Sequence, residues 1–113
     1  MYVNQILTSL GYDFITERTF PDLLSNKGHK LRFDFYVKAK IPFCIEYDGI
    51  QHYSPTFGEK QFAQQLENDA LKNQYCQVNH IPLLRIPYWV SSCEEIKNYI
   101  NNFINKEIPA LFE

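Results

Sequence analysis

The chain has 113 residues, of which 45% are hydrophobic and 16% aromatic, and its formal net charge is −2. This composition predicts one folded domain spanning residues 1–113, and it argues against a disordered chain or a dedicated nucleic-acid binder. No apolar run approaches the roughly 20 residues that a membrane span needs, and no signal peptide is visible. Three cysteines without zinc-ligand spacing suit a reducing compartment, so we expect a cytoplasmic protein.

In chain order, apolar residues at helical spacing predict a first helix that stops at Gly11, followed by a strand over residues 12–20. Residues 20–30 are predicted to form a loop, and two strands follow over 31–38 and 43–48. A helix is predicted over 59–80 and an almost wholly apolar, central strand in "IPLLRIPYW". Ser92 and Glu95 form a capping box before the last helix. The order α-β-β-β-α-β-α predicts an α/β fold of the α+β type, a mixed sheet with helices against it.

The alternation of side chains in the second and third strands places acidic residues on one face of the sheet. Asp34 points away from the apolar side of its strand, and Glu46 and Asp48 do the same in theirs. If this hairpin pairs in register, the three carboxylates meet. An ordinary solvent face of an edge hairpin is the alternative explanation for Glu46 and Asp48.

Carboxylates that converge in this way repel one another unless a cation lies between them. Oxygen ligands favour a hard divalent ion, so Asp34 with Asp48 or Glu46 predicts a Mg²⁺ site, at which Mn²⁺ can substitute. The ion would bind a phosphodiester and stabilise the leaving oxyanion.

Three further residues are candidates for the same chemistry. His52 follows Asp48 by four residues and could orient or deprotonate the attacking water, with Asp69 holding the imidazole or a metal-bound water. Lys72 could neutralise charge on the phosphate. The structural alternatives are a turn histidine and a surface pair at i, i+3 on a helix.

The basic residues are concentrated in one stretch of the chain. Five of the 11 lie between residues 27 and 40, namely Lys27, Lys30, Arg32, Lys38 and Lys40. The only acid among them is Asp34. A positive patch around one carboxylate fits a polyanion substrate, and a solvated loop and strand edge explains it equally well.

Four segments together resemble the restriction-endonuclease-like PD-(D/E)XK superfamily: "FDFYV", "IEYDGIQHY", "DALKNQYC" and "IPLLRIPYW". Within it, the chain looks like the branch of very-short-patch mismatch-repair endonucleases and phage homing endonucleases of the EDxHD type. The resemblance covers about residues 12–89, and it implies a Mg²⁺-dependent nuclease with a core of αβββαβ. Asp34 matches the central metal-binding aspartate, and Asp48, with Glu46 beside it, the variable polar position of the next strand. His52 matches the histidine that serves the attacking water, and Asp69 the helix acid that supports it.

The chain departs from the family pattern in two places. The strand lysine of the superfamily is absent, because Asp48 stands two residues after Glu46, and this favours His52. The acid of the opening helix would fall at about residue 1 or just before it, and no Glu or Asp lies between Met1 and Leu10. Either that acid is dispensable or, as we expect, the chain is a fragment of a longer phage- or intron-encoded protein acting in a bacterial host. A separate DNA-recognition region, dimerisation, or both would complete the DNA-binding surface.

The resulting functional hypothesis is a Mg²⁺-dependent homing-type endonuclease domain that attacks phosphorus with a His52-assisted water. Two alternatives remain: a mismatch-nicking repair endonuclease, and a non-catalytic nucleic-acid-binding domain that keeps the nuclease fold.

Overall fold

The computed structural model describes residues 2–107, except for the side chain of Gln51. The elements are helix α1 (Tyr2–Ser9), strands β1 (Phe14–Leu24), β2 (Lys30–Val37) and β3 (Phe43–Asp48), a 3-10 turn (Ile50–His52), helix α2 (Glu59–Val78), strand β4 (Leu83–Pro87) and helix α3 (Cys93–Glu107). The four strands form one sheet in the order β1-β2-β3-β4, in which β1, β2 and β3 are antiparallel neighbours and β4 runs parallel to β3. The predicted mixed α and β architecture is confirmed.

The sheet is covered by helices on both faces. One apolar core joins the sheet to α1 and α3, through buried residues that include Ile6, Leu7, Ile96 and Ile100. A second core joins the other face to α2, where Cys76 packs against the strands. Asp34 and Glu46 line a cleft together with Lys72 of α2, so the candidate site lies on the α2 side of the sheet.

The ends of α1 and α3 follow from local sequence chemistry. Gly11, with φ of 82°, takes the left-handed conformation that ends α1, and the Tyr12 N–H donates to the Leu7 carbonyl at 3.0 Å. At the start of α3, the Glu95 N–H donates to Ser92 Oγ at 3.1 Å and the Ser92 hydroxyl donates to Glu95 Oε1 at 2.9 Å. The predicted N-cap bond is therefore confirmed, and Glu95 accepts from the Ser92 hydroxyl where a capping box would use the Ser92 backbone N–H.

Two expectations about the strands are wrong. The predicted loop begins too early, because β1 continues through Pro21 to Leu24 and buries Leu23. Within the described residues β1 is an edge strand, and an edge strand tolerates a proline because the missing N–H faces away from the ladder. The β4 strand is also at an edge and pairs only with β3 among those residues. Its apolar character comes from burial on both faces, with Ile86 in one core and Leu83 against the other.

None of the helices in residues 2–107 is both long enough and apolar enough to cross a membrane.

Candidate functional site

A polar cleft with a cavity volume of about 410 Å³ opens on the α2 face of the sheet. Strands β1, β2 and β3, the 3-10 turn and α2 all contribute to its lining. Four of the predicted catalytic residues line it, Asp34, Glu46, His52 and Lys72. Residues separated by almost 40 positions in the sequence therefore share one solvent-accessible space.

Asp34 lies where the ladder between β2 and β3 opens. The backbone pairing runs from Val37 opposite Phe43 to Phe35 opposite Ile45. One step further, Asp34 Oδ2 accepts the backbone N–H of Tyr47 at 2.7 Å. The carboxylate thus takes the place of a backbone acceptor, which satisfies the partly buried Tyr47 donor and fixes the side chain at the cleft.

Glu46 is the most unusual acid of the cleft. It is only 3% exposed, so the solvent-face explanation is wrong for this residue. Burial raises its pKa from 4.5 to about 8, and the neighbouring carboxyl of Asp34 pushes in the same direction. Lys72 Nζ lies 2.6 Å from Glu46 Oε1 and opposes the shift. Asp34 and Glu46 are therefore a close carboxyl pair, and Lys72 only partly offsets the rise in the pKa of Glu46.

Asp48 has a different environment from the one predicted. It is 4% exposed and does not line the cleft, because Arg85 of β4 binds both of its oxygens through Nη1, at 2.9 and 3.2 Å. Burial raises the pKa of Asp48, and Arg85 opposes that rise. In residues 2–107, no group of three or more His, Cys, Asp or Glu side chains is arranged to hold a metal ion. The prediction that three carboxylates converge is therefore wrong. Asp34 and Glu46 form a pair at the cleft, and Asp48 is neutralised by Arg85.

His52 is held by acids on its Nδ1 side. Nδ1 lies 2.8 Å from Asp69 Oδ2 and 3.5 Å from Asp48 Oδ1, and Gln65 donates to the other oxygen of Asp69 at 3.1 Å. The side chains of His52 and Asp69 are 12% and 15% exposed, so neither lies on the solvent surface, although His52 is in the 3-10 turn. With Nδ1 facing Asp69, Nε2 is the nitrogen left for a ligand or a water.

Lys72 reaches the same cleft from α2. Its side chain is 12% exposed, and its ammonium lies 5.7 Å from the centroid of the Phe33 ring besides its contact with Glu46. The predicted i, i+3 relation to Asp69 therefore places both side chains inward rather than on the surface.

Arg85 is a residue that the sequence analysis missed. It is the single charged residue in the apolar stretch "IPLLRIPYW", and its guanidinium contacts Asp48, the backbone carbonyl of Asp69 at 3.4 Å and Asn73 at 3.0 Å. A lone charge in an apolar strand requires a partner, so this arginine was itself a signal of a buried acid nearby.

The predicted basic patch is divided between the two ends of the β2 strand. Lys30 and Arg32 line the cleft, whereas Lys27, Lys38 and Lys40 are exposed elsewhere. Lys30 and Lys38 are eight residues apart along an extended chain, which corresponds to roughly 26 Å. Only two of the five basic residues are thus close to the acids. The expected acid of the opening helix, at about residue 1, lies outside the described residues.

No family model, curated protein or solved structure matches this chain. The functional conclusion therefore depends on the geometry and chemistry of the cleft.

Proposed function

We propose that this chain is the catalytic domain of a Mg²⁺-dependent DNA endonuclease of homing type, with a restriction-endonuclease-like core. One observation carries the proposal: two adjacent carboxyls, Asp34 and Glu46, share a cleft with an acid-held histidine and a lysine. These are groups that metal-dependent hydrolysis of a phosphodiester uses.

The carboxyl pair suits a hard divalent cation. Mg²⁺ is usually held by one or two carboxylates together with waters and substrate phosphate oxygens, and Asp34 and Glu46 would supply the carboxylates. The pKa of Glu46 is raised first by burial and further by the adjacent Asp34 carboxyl, and a cation bound between the two acids would favour their charged forms in place of the proton. When bound, the ion would supply Lewis-acid polarisation of the phosphoryl oxygen and charge compensation for the leaving oxygen.

His52 supplies the base in this proposal. The hydrogen bond from Nδ1 to Asp69 keeps one proton on that nitrogen and leaves the Nε2 lone pair free to accept a proton from the attacking water. The two acids near Nδ1, Asp69 and Asp48, would stabilise the imidazolium that forms.

Lys72 provides a positive charge that β3 lacks. The strand position of the superfamily lysine is occupied by Asp48, and the ammonium next to Glu46 comes from α2 instead. A phosphate entering the cleft would meet this ammonium and the side chains of Lys30 and Arg32. Because the net charge is −2, we propose that double-stranded DNA is held mainly by a separate recognition region or by a dimer.

The test is nicking of supercoiled plasmid by the parent chain with Mg²⁺, Mn²⁺ or EDTA, alongside Asp34→Asn and His52→Ala. Asp13→Asn, at an exposed acid before β1, is the matched control. We expect cleavage with Mg²⁺ or Mn²⁺ only, a loss of about 100-fold or more in both site variants, and no change in the control. Equal cleavage in EDTA, or by all variants, would contradict the proposal. DNA binding without cleavage by a folded parent would favour the non-catalytic binding domain.

A mismatch-nicking enzyme is the second candidate, and one surface feature favours it. Tyr53, next to His52, packs against Tyr88 and Trp89 with ring centroids 5.5 and 5.1 Å away. All three rings are partly exposed, Trp89 by 58%. Exposed aromatic rings beside a nuclease site can wedge between base steps of a weakened duplex. Faster nicking of a mismatched than of a matched oligonucleotide duplex, abolished by Trp89→Ala, would select this candidate.

A further inference from the structure

One residue in the middle of β1 has a backbone conformation that strands do not use. Glu17 has φ of 52°, in the left-handed region that non-glycine residues rarely occupy. The pairing with β2 is in the same register on both sides of it, Thr16 opposite Phe35 and Arg18 opposite Phe33. Glu17 lies across from Asp34 in this register, and β2 changes face at the same point, since Phe33 belongs to the core under α2 and Phe35 to the other core.

A second residue with positive φ shows what an ordinary structural cause looks like. His80, with φ of 55°, follows the end of α2, and the Ile81 N–H donates to the Cys76 carbonyl at 2.8 Å. That is the usual left-handed ending of a helix. Glu17 ends no helix and lies between paired strand residues, so its conformation needs a different explanation.

The side chain of Glu17 indicates that explanation. Its Oε2 accepts a hydrogen bond from Arg32 Nη1 at 3.0 Å, and both residues line the cleft that holds Asp34. The two side chains are 67% and 62% exposed, so this ion pair contributes little to folding. Strained conformations are retained mainly where function uses them.

Arg32 has the chemistry to bind a phosphate at this place. Within the described residues its one side-chain hydrogen bond is to Glu17, which leaves most of its five N–H donors open to the cleft. It precedes Asp34 by two residues on β2, about 7 Å along the strand. We propose that Glu17 is a positioning residue: it orients the Arg32 guanidinium to bind the DNA phosphate next to the one that is cleaved. This inference depends on the nuclease function proposed above.

The experiment measures steady-state cleavage of a short duplex, together with salt-dependent DNA binding in EDTA, for Glu17→Gln, Arg32→Ala and the double variant. We expect KM to rise about tenfold in each single variant with kcat unchanged, because the contact is made equally in the ground and transition states. The slope of log affinity against log salt should fall by about 0.9 in Arg32→Ala, which is one phosphate contact. The double variant should match Arg32→Ala, because Glu17 acts through that residue.

A pair of glycine variants separates backbone strain from function. Both Glu17→Gly and His80→Gly relieve a positive φ, so both should raise Tm. Only Glu17→Gly should raise KM, whereas His80→Gly is the matched control with unchanged kinetics.

Three results would overturn the inference. Tighter DNA binding by Glu17→Gln would mean that Glu17 only neutralises Arg32. A further rise in KM when Glu17→Gln is added to Arg32→Ala would mean that the two act separately, and unchanged KM in Glu17→Gln would remove its role. These outcomes require a parent that cleaves DNA. A parent that neither cleaves nor binds DNA would instead refute the proposed function, and this inference with it.

Discussion

Glu46 and Asp48 lie two residues apart on the same face of β3, and both are almost fully buried, at 3% and 4% exposure. Burial raises the pKa of each. Their partners differ: Glu46 meets a single lysine at an open cleft, whereas Asp48 is bound by Arg85 through both oxygens and faces His52. A buried acid whose lone pairs are taken by a planar arginine is a structural element. One that lies beside a second carboxyl at a cleft can accept a ligand.

The largest expected effect comes from removing the two cations in turn. Arg85→Met leaves the buried Asp48 without its main partner, and we expect the free energy of unfolding to fall by about 3–5 kcal/mol. Lys72→Met should cost much less near pH 6, because Glu46, with a pKa of about 8, can take up a proton instead. Urea unfolding of the two methionine variants measures the difference. Equal losses of unfolding free energy would show that Glu46 and Asp48 depend on their cations to the same extent, which would contradict a structural role for Asp48 alone.

The pH dependence of stability should identify Glu46 directly. Its pKa is raised in the folded protein, so the folded state keeps a proton that the unfolded chain releases between about pH 4.5 and pH 8. The stabilisation is complete below that range and is lost as the pH rises through 8. We expect on the order of 3 kcal/mol less stability at pH 8 than at pH 5, measured by urea unfolding in EDTA. Glu46→Gln cannot titrate, and a profile that is as steep in this variant as in the parent would assign the effect to other groups.

Replacing Glu46 and Asp48 in turn by their neutral amides should affect DNA cleavage differently. Glu46→Gln removes a proposed metal-binding carboxylate, and we expect Mg²⁺-dependent cleavage to fall about 100-fold with a nearly unchanged fold. Asp48→Asn should lower stability more than Glu46→Gln does, because Arg85 and His52 both lose a charged partner. Cleavage rates and unfolding midpoints measured on both variants give the comparison. The assignment would be reversed if Asp48→Asn were stable but inactive and Glu46→Gln active.

The pattern of apolar and polar residues predicted most of the helices and strands, because period-2 alternation and helix capping depend on residues that are close in sequence. The β3 strand was predicted over the residues that form it, and β2 was shifted by one. What could not be predicted depends on which distant residue meets which. Arg85 neutralises Asp48 only because β4 pairs in parallel with β3, with Glu46 opposite Arg85. Likewise, the left-handed backbone of Glu17 could not be predicted from composition or periodicity, since glutamate has no preference for that conformation.

The smallest expected effect concerns the histidine between the two acids. Asp69→Asn can donate its amide to Nδ1 of His52, which would move the ring proton to Nε2 and block the proposed base. Because Asp48 remains 3.5 Å from Nδ1 and favours the original tautomer, we expect kcat to fall only about tenfold, with KM unchanged. Single-turnover cleavage of a duplex by Asp69→Asn, His52→Ala and the double variant measures this. Since Asp69 acts through His52, the double variant should be no slower than His52→Ala, and an additive loss would show that Asp69 contacts the substrate or a metal-bound water by itself.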